Sequence, residues 1–402
     1  MQDEDAQSWP LRGLRVLDFT HLVAGPLCTM LLADAGAHVI KVEPPHGDRA
    51  RFRGAECKRP DGTVLSGYHA AYNRGKKSVV IDLKHPKSTQ VIHRILSTCD
   101  VLVENFSPGT MDRLGLSLKE IREAHPTLVI GSIGVFPEDA SRKSSQETDA
   151  RRGLALIAEA ESGIMAVRNM PPADLGFQLG DQATGLFAYS AILTALYRRA
   201  VRGCGSHLSI SMTQSLAALN ASAFANFSIG GEQAVETPNA VYDYFETADG
   251  FVAIGLSTDD QWSRFVDALN DPELKDDSRF STYHLRNDNR VFICERVNRW
   301  SRSRSCDEIV AILQPARIPC GKRRTVPEVA SGSFGCEFLD ASDRYGVSVR
   351  VPRNPMGFGS RFVDLPELGE HTSEILKGAG GYQDREIATL LNEGVVVQGS
   401  SS

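Results

Sequence analysis

The 402-residue sequence lacks the long apolar runs and the basic charge that would define several classes of protein. No apolar stretch approaches the roughly 18 residues of a membrane-spanning helix, so we expect no membrane partner. The formal net charge of −6 gives no support for nucleic-acid binding, because such proteins carry a basic surface. The first residues, Met1–Asp5, are acidic and polar, which argues against a secretory signal and favours a cytoplasmic location.

The sequence also lacks the common cofactor and metal motifs. Its eight cysteines form neither a C-x-x-C pair nor a zinc-type Cys/His spacing, so we expect reduced thiols and no metal. Glu43 ends a predicted strand where a dinucleotide-binding acid would stand, but the preceding turn has one glycine, Gly25, followed by Pro26. G-x-G-x-x-G, Walker A, H-E-x-x-H and G-x-S-x-G are all absent. We therefore expect neither a nicotinamide nor a flavin cofactor.

Predicted strands and helices alternate over the first half of the chain. Leu14–Phe19 is predicted to be a strand, followed by a helix with Pro26 at its first position, a favoured place for proline. Further strands are predicted at 37–42, 78–83, 101–104 and 128–133, with helices at 87–99 and 118–125. This alternation is typical of an α/β protein with a Rossmann-like, doubly wound parallel sheet.

A different pattern begins near residue 233. Asp249-Gly250 lies between two apolar runs and predicts a β-hairpin, and Thr258 or Asp259 would cap the helix that follows. These features indicate a smaller α+β domain, and the Gly/Pro/Ser/Arg-rich stretch 336–364 is expected to be an extended return strap. The predicted parts are a large α/β domain at 1–205, a linker at 206–232, the small domain at 233–335, and a return linker with a carboxy-terminal segment at 336–402 that completes the large domain.

One carboxylate stands out in the segment 179–185, Leu-Gly-Asp-Gln-Ala-Thr-Gly. Asp181 lies between two glycines and directly before an apolar helical run. A helix start favours negative charge, so Asp181 is expected to stay ionised and reachable, as a nucleophile must be. From spacing alone, however, a plain N-cap aspartate is the more common explanation.

Several blocks of sequence, taken together, resemble one family. They are V-L-D-F-T at 16–20, A-G-P at 24–26, the run 31–43 that ends in Val-Glu, G-D-R at 47–49, N-R-G-K-K-S at 73–78, D-V-L-V-E-N-F at 100–106, G-D-x-x-T-G at 180–185 and G-E-H-T at 369–372. In this order they are similar to the family III CoA-transferases, the relatives of formyl-CoA transferase and carnitine CoA-transferase. The resemblance covers nearly the whole chain, and the first half carries most of it.

The resemblance implies a CoA-transferase that moves CoA from an acyl-CoA donor to a carboxylic acid acceptor. Asp181 matches the family's aspartate, which attacks the donor thioester and passes through a mixed anhydride and an aspartyl-CoA thioester. Backbone N–H groups near Gly180 or Gly25 are candidate donors to the developing oxyanion. Coenzyme A, as acyl-CoA substrate, is the one cofactor implied.

The resemblance also implies binding residues for this substrate. Cations would bind the phosphates of CoA, although each is equally a candidate for an ordinary surface charge. Candidates for CoA or substrate contact are Arg49, Arg51, Arg74, Lys76, Lys77, Asn105, Phe106 and Arg113, and candidates for the acyl pocket are Leu22, Val23 and Met212.

Departures from the family pattern bear on the substrate. Pro44 stands where formyl-CoA transferase has an arginine beside the adenine, and Val23 replaces a glutamine of that enzyme. Its glycine-rich loop has no counterpart near 246–262, so formyl-CoA and oxalate are not expected as substrates. The segment from 134 to Arg152 is also altered.

Two alternatives stay open at this point. An α-methylacyl-CoA racemase of the same fold needs a His beside an Asp after the strand at 128–133, and no histidine occurs between His125 and His207. A non-catalytic acyl-CoA-binding protein is the other alternative. The family's interlocked rings, each chain threaded through the other, would suit the two connectors at 205–232 and 336–364. We therefore expect an interlocked homodimer.

Overall fold

The computed structural model describes residues 9–60, 62–137, 153–166, 176–231, 239–332, 335–359 and 362–399. The chain forms two compact units, which we describe separately. The first comprises Met1–Ala221 with Glu337–Ser402, and the second comprises Ser222–Cys336. The four-part division drawn from the sequence stays a prediction.

The described residues form short strands and helices throughout both units. In chain order the strands are β1 (Arg15–Asp18), β2 (His38–Glu43), β3 (Glu56–Lys58), β4 (Val64–Ser66), β5 (Lys77–Ile81), β6 (Val101–Glu104), β7 (Val129–Gly134), β8 (Ser206–Ser211), β9 (Tyr242–Glu246), β10 (Phe251–Gly255), β11 (Cys320–Lys322), β12 (Phe338–Ser342), β13 (Ser348–Pro352), β14 (Phe362–Asp364) and β15 (Val396–Val397). The α-helices are α1 (Ala24–Asp34), α2 (Gly67–Asn73), α3 (Ser88–Leu96), α4 (Thr110–Arg113), α5 (Leu118–Ala124), α6 (Ala155–Glu161), α7 (Leu179–Arg202), α8 (Met212–Leu219), α9 (Ala221–Gly230), α10 (Asp259–Leu269), α11 (Pro272–Asp276), α12 (Tyr283–Asp288), α13 (Arg290–Arg302), α14 (Cys306–Leu313), α15 (Val326–Ala330), α16 (Thr372–Gly378) and α17 (Asp384–Asn392).

A seven-stranded sheet in the order β15-β5-β2-β1-β6-β7-β8 forms the centre of the first unit. Its strands are parallel except for β15, which pairs antiparallel with β5. Strand β6 is buried at every residue, as expected where helices cover both faces of a sheet. One core lies against α3, α5, α16 and α17, and the other lies against α1 and α7. The α/β class and the doubly wound parallel sheet are thus confirmed.

Three local features of this unit differ from expectation. Helix α1 begins at Ala24, so Pro26 is its third residue rather than its first; this costs little because the first four N–H groups lack helical acceptors anyway. Residues 206–211, expected in a linker, form β8 at the edge of the sheet. The expected extended strap contains a three-stranded sheet, β13-β12-β14, whose Leu339 and Val351 pack against Leu65. The strap therefore has a core, contrary to prediction.

The second unit is built on the antiparallel sheet β11-β10-β9. The predicted hairpin is confirmed, since β9 and β10 pair antiparallel on either side of Asp249-Gly250. Thr258 rather than Asp259 caps α10, because its Oγ1 accepts from the Gln261 N–H at 3.2 Å. No helix in the described part of the chain combines the length and apolarity needed to cross a bilayer.

Candidate active site

The turn between β1 and α1 lies at the carboxyl end of the central sheet, the edge where open α/β sheets bind ligands. Asn105 stabilises this turn, because its Oδ1 accepts from the His21 N–H at 2.8 Å and its Nδ2 donates to the His21 carbonyl at 2.9 Å. Leu22 has a φ of 67°, which is strained for a residue with a Cβ. Its N–H donates to Asp48 Oδ1 at 3.3 Å, so side chains from two other loops support this conformation.

A cluster of buried charges underlies the same turn. Lys76 Nζ lies 3.0 Å from Asp18 Oδ2, and Lys41 Nζ lies 3.0 Å from Asp48 Oδ2 and 2.8 Å from the Thr20 carbonyl. Burial alone would raise the pKa of Asp18, but Lys76 and Lys41 outweigh it and lower that pKa to about 2. These ion pairs tie the turn to the strands below it.

Glycine allows α7 to approach the start of α1. A Cβ on Gly185 would lie 2.7 Å from the Ala24 carbonyl oxygen, and a Cβ on Gly25 would lie 2.3 Å from Thr20 Cβ. No real Cβ tolerates such distances, so any side chain at either position would push the helix or the turn away. Gly185 therefore lets the second turn of α7 lie against the first turn of α1, and Gly25 lets α1 lie against the preceding β1–α1 turn.

Asp181 is the third residue of α7, whose N-cap is Gln178. The interpretation of Asp181 as a plain N-cap is therefore wrong. Its carboxylate lies close to the Ala24 N–H, which favours the ionised form. Burial raises its pKa from 3.8, the Ala24 N–H opposes that rise and the charge of Glu159 adds to it, so that the pKa is raised to about 6. The effect of burial on the pKa of Asp181 thus exceeds the opposite effect of the helix amino terminus, yet most of the carboxylate is ionised at neutral pH.

Glu159 of α6 is buried beside this carboxylate, and the sequence analysis missed it. Its Oε1 accepts from the Gly180 N–H at 2.9 Å. The Gly180 N–H is therefore already engaged, which removes it as a candidate oxyanion donor and leaves Gly25. No local sequence signal distinguishes Glu159 from other helical glutamates, because the fold alone brings α6 to the start of α7.

Two tyrosines of α2 lie on another side of the site, and they too were missed. Gln178 Nε2 donates to the Tyr68 hydroxyl at 2.8 Å, and Gln182 Nε2 donates to the Tyr72 hydroxyl at 2.6 Å. Burial raises the pKa of Tyr72, and the charge of Asp181 adds to that rise. Tyr72 therefore lies close enough to Asp181 to sense its charge.

Three of the predicted CoA-binding cations are buried in ion pairs instead. Arg51 Nη2 lies 2.7 Å from Glu43 Oε1, Arg74 Nη2 lies 2.9 Å from Asp34 Oδ2, and Lys76 is in the buried cluster described above. Turning any of them toward a phosphate would leave a buried carboxylate unpaired, at a cost of about 3–5 kcal/mol. We therefore remove these three from the CoA-binding set. The pairing of Glu43 likewise removes it as a ribose-binding acid.

The other three predicted cations reach solvent. Arg49 is exposed in the short helical turn Arg49–Phe52 after β2, and Arg113 is exposed at the end of α4. Arg113 Nη2 donates to Thr110 Oγ1 at 2.7 Å. The Lys77 side chain is 37% exposed, with Nζ 3.6 Å from Glu374 Oε2. Such weakly held cations are free to meet a phosphate.

The apolar candidates divide between the site and the core. The Phe106 ring, at the end of β6, lies 5.4 Å from the His21 ring, and Leu22 is part-exposed in the strained turn. Val23 and Met212 are only 3% and 5% exposed, and Met212 belongs to the core between the sheet and α7. They can shape an acyl pocket from below but offer it little surface.

Some sequence-based expectations cannot be placed. The altered segment up to Arg152 falls mostly outside the described residues, which resume at 153. In the ranges that the structure does describe, no three His, Cys, Asp or Glu side chains converge as metal ligands would.

Comparison with known proteins agrees with the fold. The family model of CoA-transferase family III matches residues 11–372, and the chain belongs to that family. It is 31% identical to human succinyl-CoA:glutarate CoA-transferase, over 97% of this chain and 90% of that protein. It is 30% identical to formyl-CoA:oxalate CoA-transferase of Rhodopseudomonas palustris (strain BisA53), over 96% of this chain and 97% of that protein.

Solved structures give the same result. A crystal structure of a CaiB/BaiF family protein from Brucella suis superposes with a TM-score of 0.78 at 27% identity, covering 92% of this chain and 99% of that one. The predicted family and enzyme class are confirmed: the protein is a CoA-transferase.

Proposed function

We propose that the protein transfers CoA from an acyl-CoA thioester to a carboxylic acid through covalent intermediates on Asp181. The observation that carries this proposal is the position of Asp181, whose carboxylate meets the Ala24 N–H where the first turns of α1 and α7 come together. The amino-terminal ends of two helices favour negative charge, and the reaction develops negative charge at this point. A pKa raised to about 6 leaves the carboxylate ionised at neutral pH but more basic than an ordinary aspartate.

The chemistry proceeds in four exchanges. The Asp181 carboxylate attacks the donor thioester carbonyl, and the C–S bond breaks to give a mixed anhydride and CoA thiolate. The thiolate attacks the Asp181 carbonyl, releasing the donor acid and forming an aspartyl-CoA thioester. The acceptor carboxylate attacks this thioester, and CoA thiolate leaves again. The thiolate then attacks the acceptor's acyl carbonyl, which yields the new acyl-CoA and free Asp181.

In this proposal the substrate's CoA group extends over the carboxyl end of the sheet. Asn105 and Phe106 form the floor, and the exposed Arg49 and Arg113, with Lys77, bind phosphates. Support comes from their availability, because the remaining predicted cations are committed to buried carboxylates. The Gly25 N–H is assigned to the oxyanion.

The names of the relatives indicate which acyl groups to test first. Succinyl-CoA with glutarate is the first pair to test, because the human relative bears that name. Formyl-CoA with oxalate, named for the bacterial relative, is the second, and Pro44 and Val23 disfavour it here. The two tyrosine hydroxyls near Asp181 would suit a polar rather than a purely aliphatic acyl group.

We also propose that two chains form an interlocked homodimer. The first unit exposes large apolar side chains along α7: Leu186 is 51%, Tyr197 73% and Val201 62% exposed. Several exposed large apolar side chains along one helix favour an interaction surface. Sedimentation at decreasing concentration tests the proposal. A folded, active monomer in dilute solution would contradict it and leave the transferase chemistry intact.

The test of the chemistry is mass spectrometry of the protein quenched during turnover with each acyl-CoA. The wild-type protein should carry a CoA adduct on the peptide that contains Asp181, and Asp181→Ala should carry none and transfer no CoA. Glu161→Gln, a change at a solvent-facing carboxylate, is the control and should react like the wild type. Transfer by Asp181→Ala near the wild-type rate would refute the mechanism. Exchange of an α-proton without adduct would favour the racemase alternative.

A further inference from the structure

The buried carboxylate of Glu159 is not explained by packing alone. The residue is only 4% exposed, although a glutamate on a short helix could reach water at little cost. Its Oε1 accepts from the Gly180 N–H at 2.9 Å, and Gly180 is the residue directly before Asp181. Burying a charge is costly unless it has a partner, and no ion pair to Glu159 is present among the described residues. Such an expensive arrangement beside a nucleophile suggests a role in the reaction.

Among the described residues, the groups that influence the Asp181 carboxylate are the Ala24 N–H from α1, Glu159 from α6 and the Tyr72 hydroxyl from α2. None of these is a cation. The charge of Glu159 repels the ionised Asp181 carboxylate and so favours its neutral form.

That repulsion has a consequence for the covalent intermediates. Asp181 is negative when free, but it is neutral as an anhydride or as an aspartyl-CoA thioester. Repulsion from Glu159 therefore acts on the free enzyme and is relieved when Asp181 is acylated. A more basic carboxylate is also the stronger nucleophile toward the thioester carbonyl.

We propose that Glu159 is a positioning residue for CoA transfer: it holds the Gly180 N–H so that Asp181 stays in place at the start of α7, and its negative charge drives Asp181 toward the neutral, acylated state. This inference rests on the proposed function of Asp181 as nucleophile. The hydrogen bond of Glu159 and its negative charge thus have two different effects, which can be tested separately.

Two substitutions separate these effects. Glu159→Gln keeps an oxygen acceptor for the Gly180 N–H but removes the charge, whereas Glu159→Ala removes both. Glu161→Gln neutralises an exposed glutamate two residues further along the same helix and is the matched control. Each variant is assayed with succinyl-CoA and glutarate for kcat and KM from pH 4.5 to 8.5, and for the fraction of protein carrying aspartyl-CoA after quenching.

The charge makes a definite prediction for the pH profile. In Glu159→Gln the acidic limb of kcat/KM should move to lower pH, the quenched adduct should fall several-fold, and KM for the acyl-CoA should stay near the wild-type value. Glu159→Ala should show the same shift with a further loss of kcat, because α7 loses its contact at Gly180. Glu161→Gln should keep the wild-type profile.

The outcomes separate the role of Glu159 from the proposed role of Asp181 as nucleophile. An acidic limb and adduct fraction in Glu159→Gln equal to those of the wild type would overturn the role of Glu159 and leave Asp181 as the nucleophile. Adduct in Asp181→Ala would overturn the proposed function itself. If Glu159→Gln does not fold, Glu159→Asp replaces it, since it keeps the charge and shortens the reach to Gly180. It should keep the acidic limb and lower kcat, and a shifted limb at unchanged kcat would refute the inference.

Discussion

Replacing Asp181 with asparagine should make the protein more stable while abolishing transfer. Burial raises the pKa of Asp181 from 3.8 to about 6, so the folded state disfavours the ionised form. A group whose pKa is raised on folding contributes its full stability below its unfolded pKa and loses it as the pH rises through the folded pKa. The wild-type protein thus loses this contribution between about pH 4 and pH 6, whereas asparagine, which never ionises, does not.

The size of the effect follows from the same shift. A rise of about two pKa units corresponds to roughly 3 kcal/mol at most, since each unit is about 1.4 kcal/mol. Asp181 keeps partial contact with solvent, which screens the penalty, so we expect about 1–2 kcal/mol at pH 7.5. Asparagine has nearly the same size and shape as aspartate, and the substitution therefore creates no cavity.

Urea unfolding at pH 4.5 and pH 7.5, at one protein concentration, measures this difference. The two proteins should have similar stability at the lower pH, and Asp181→Asn should gain as the pH rises. Holding the concentration fixed matters because an associating chain gains stability by mass action. A variant less stable than the wild type at pH 7.5, or a gain that does not change with pH, would refute the assignment of a strained, desolvated carboxylate.

Two further predictions test the division of the cations. Arg49→Glu combined with Arg113→Glu should weaken CoA binding at least about tenfold in titration calorimetry while leaving the urea midpoint unchanged, because both cations are exposed and pair with few groups; undiminished affinity would place the phosphates elsewhere. Lys76→Met should instead affect stability: it should lower the unfolding free energy by about 3–5 kcal/mol, because Asp18 is left buried and unpaired. A fully stable variant with weakened CoA binding would restore Lys76 to the set of CoA-binding residues.

Much of the large unit was predictable because its strands are short apolar runs. The predicted strand 101–104 coincides with β6, where every residue is buried. The strap was not predictable, since three short strands lie within a Gly/Pro/Arg-rich composition that predicts irregular chain. Their apolar residues, such as Leu339, pack against Leu65 from a distant part of the chain, and local patterns carry no sign of such a partner.

Single residues of the candidate site were also only partly predictable from the sequence. The motif around Asp181 identified the candidate nucleophile, but motif position does not reveal burial. Arg74 pairs with Asp34, 40 residues earlier, and a basic residue in a motif looks the same whether it meets a phosphate or a carboxylate. Glu159 could not be identified from the sequence, because only the folded chain brings it close to Asp181.

The blocks of this sequence that resemble the family therefore have two different roles. In the proposed function Asp181 and Asn105 border the reaction space, whereas Asp18 and Lys76 support the β1–α1 turn from below. That support is functional in an indirect sense, because the turn presents the Ala24 N–H to the nucleophile and any loosening would move it. We propose that the buried ion pairs act on catalysis through backbone position rather than through contact with CoA. Their loss should lower kcat and stability together, whereas loss of Arg49 should affect binding alone.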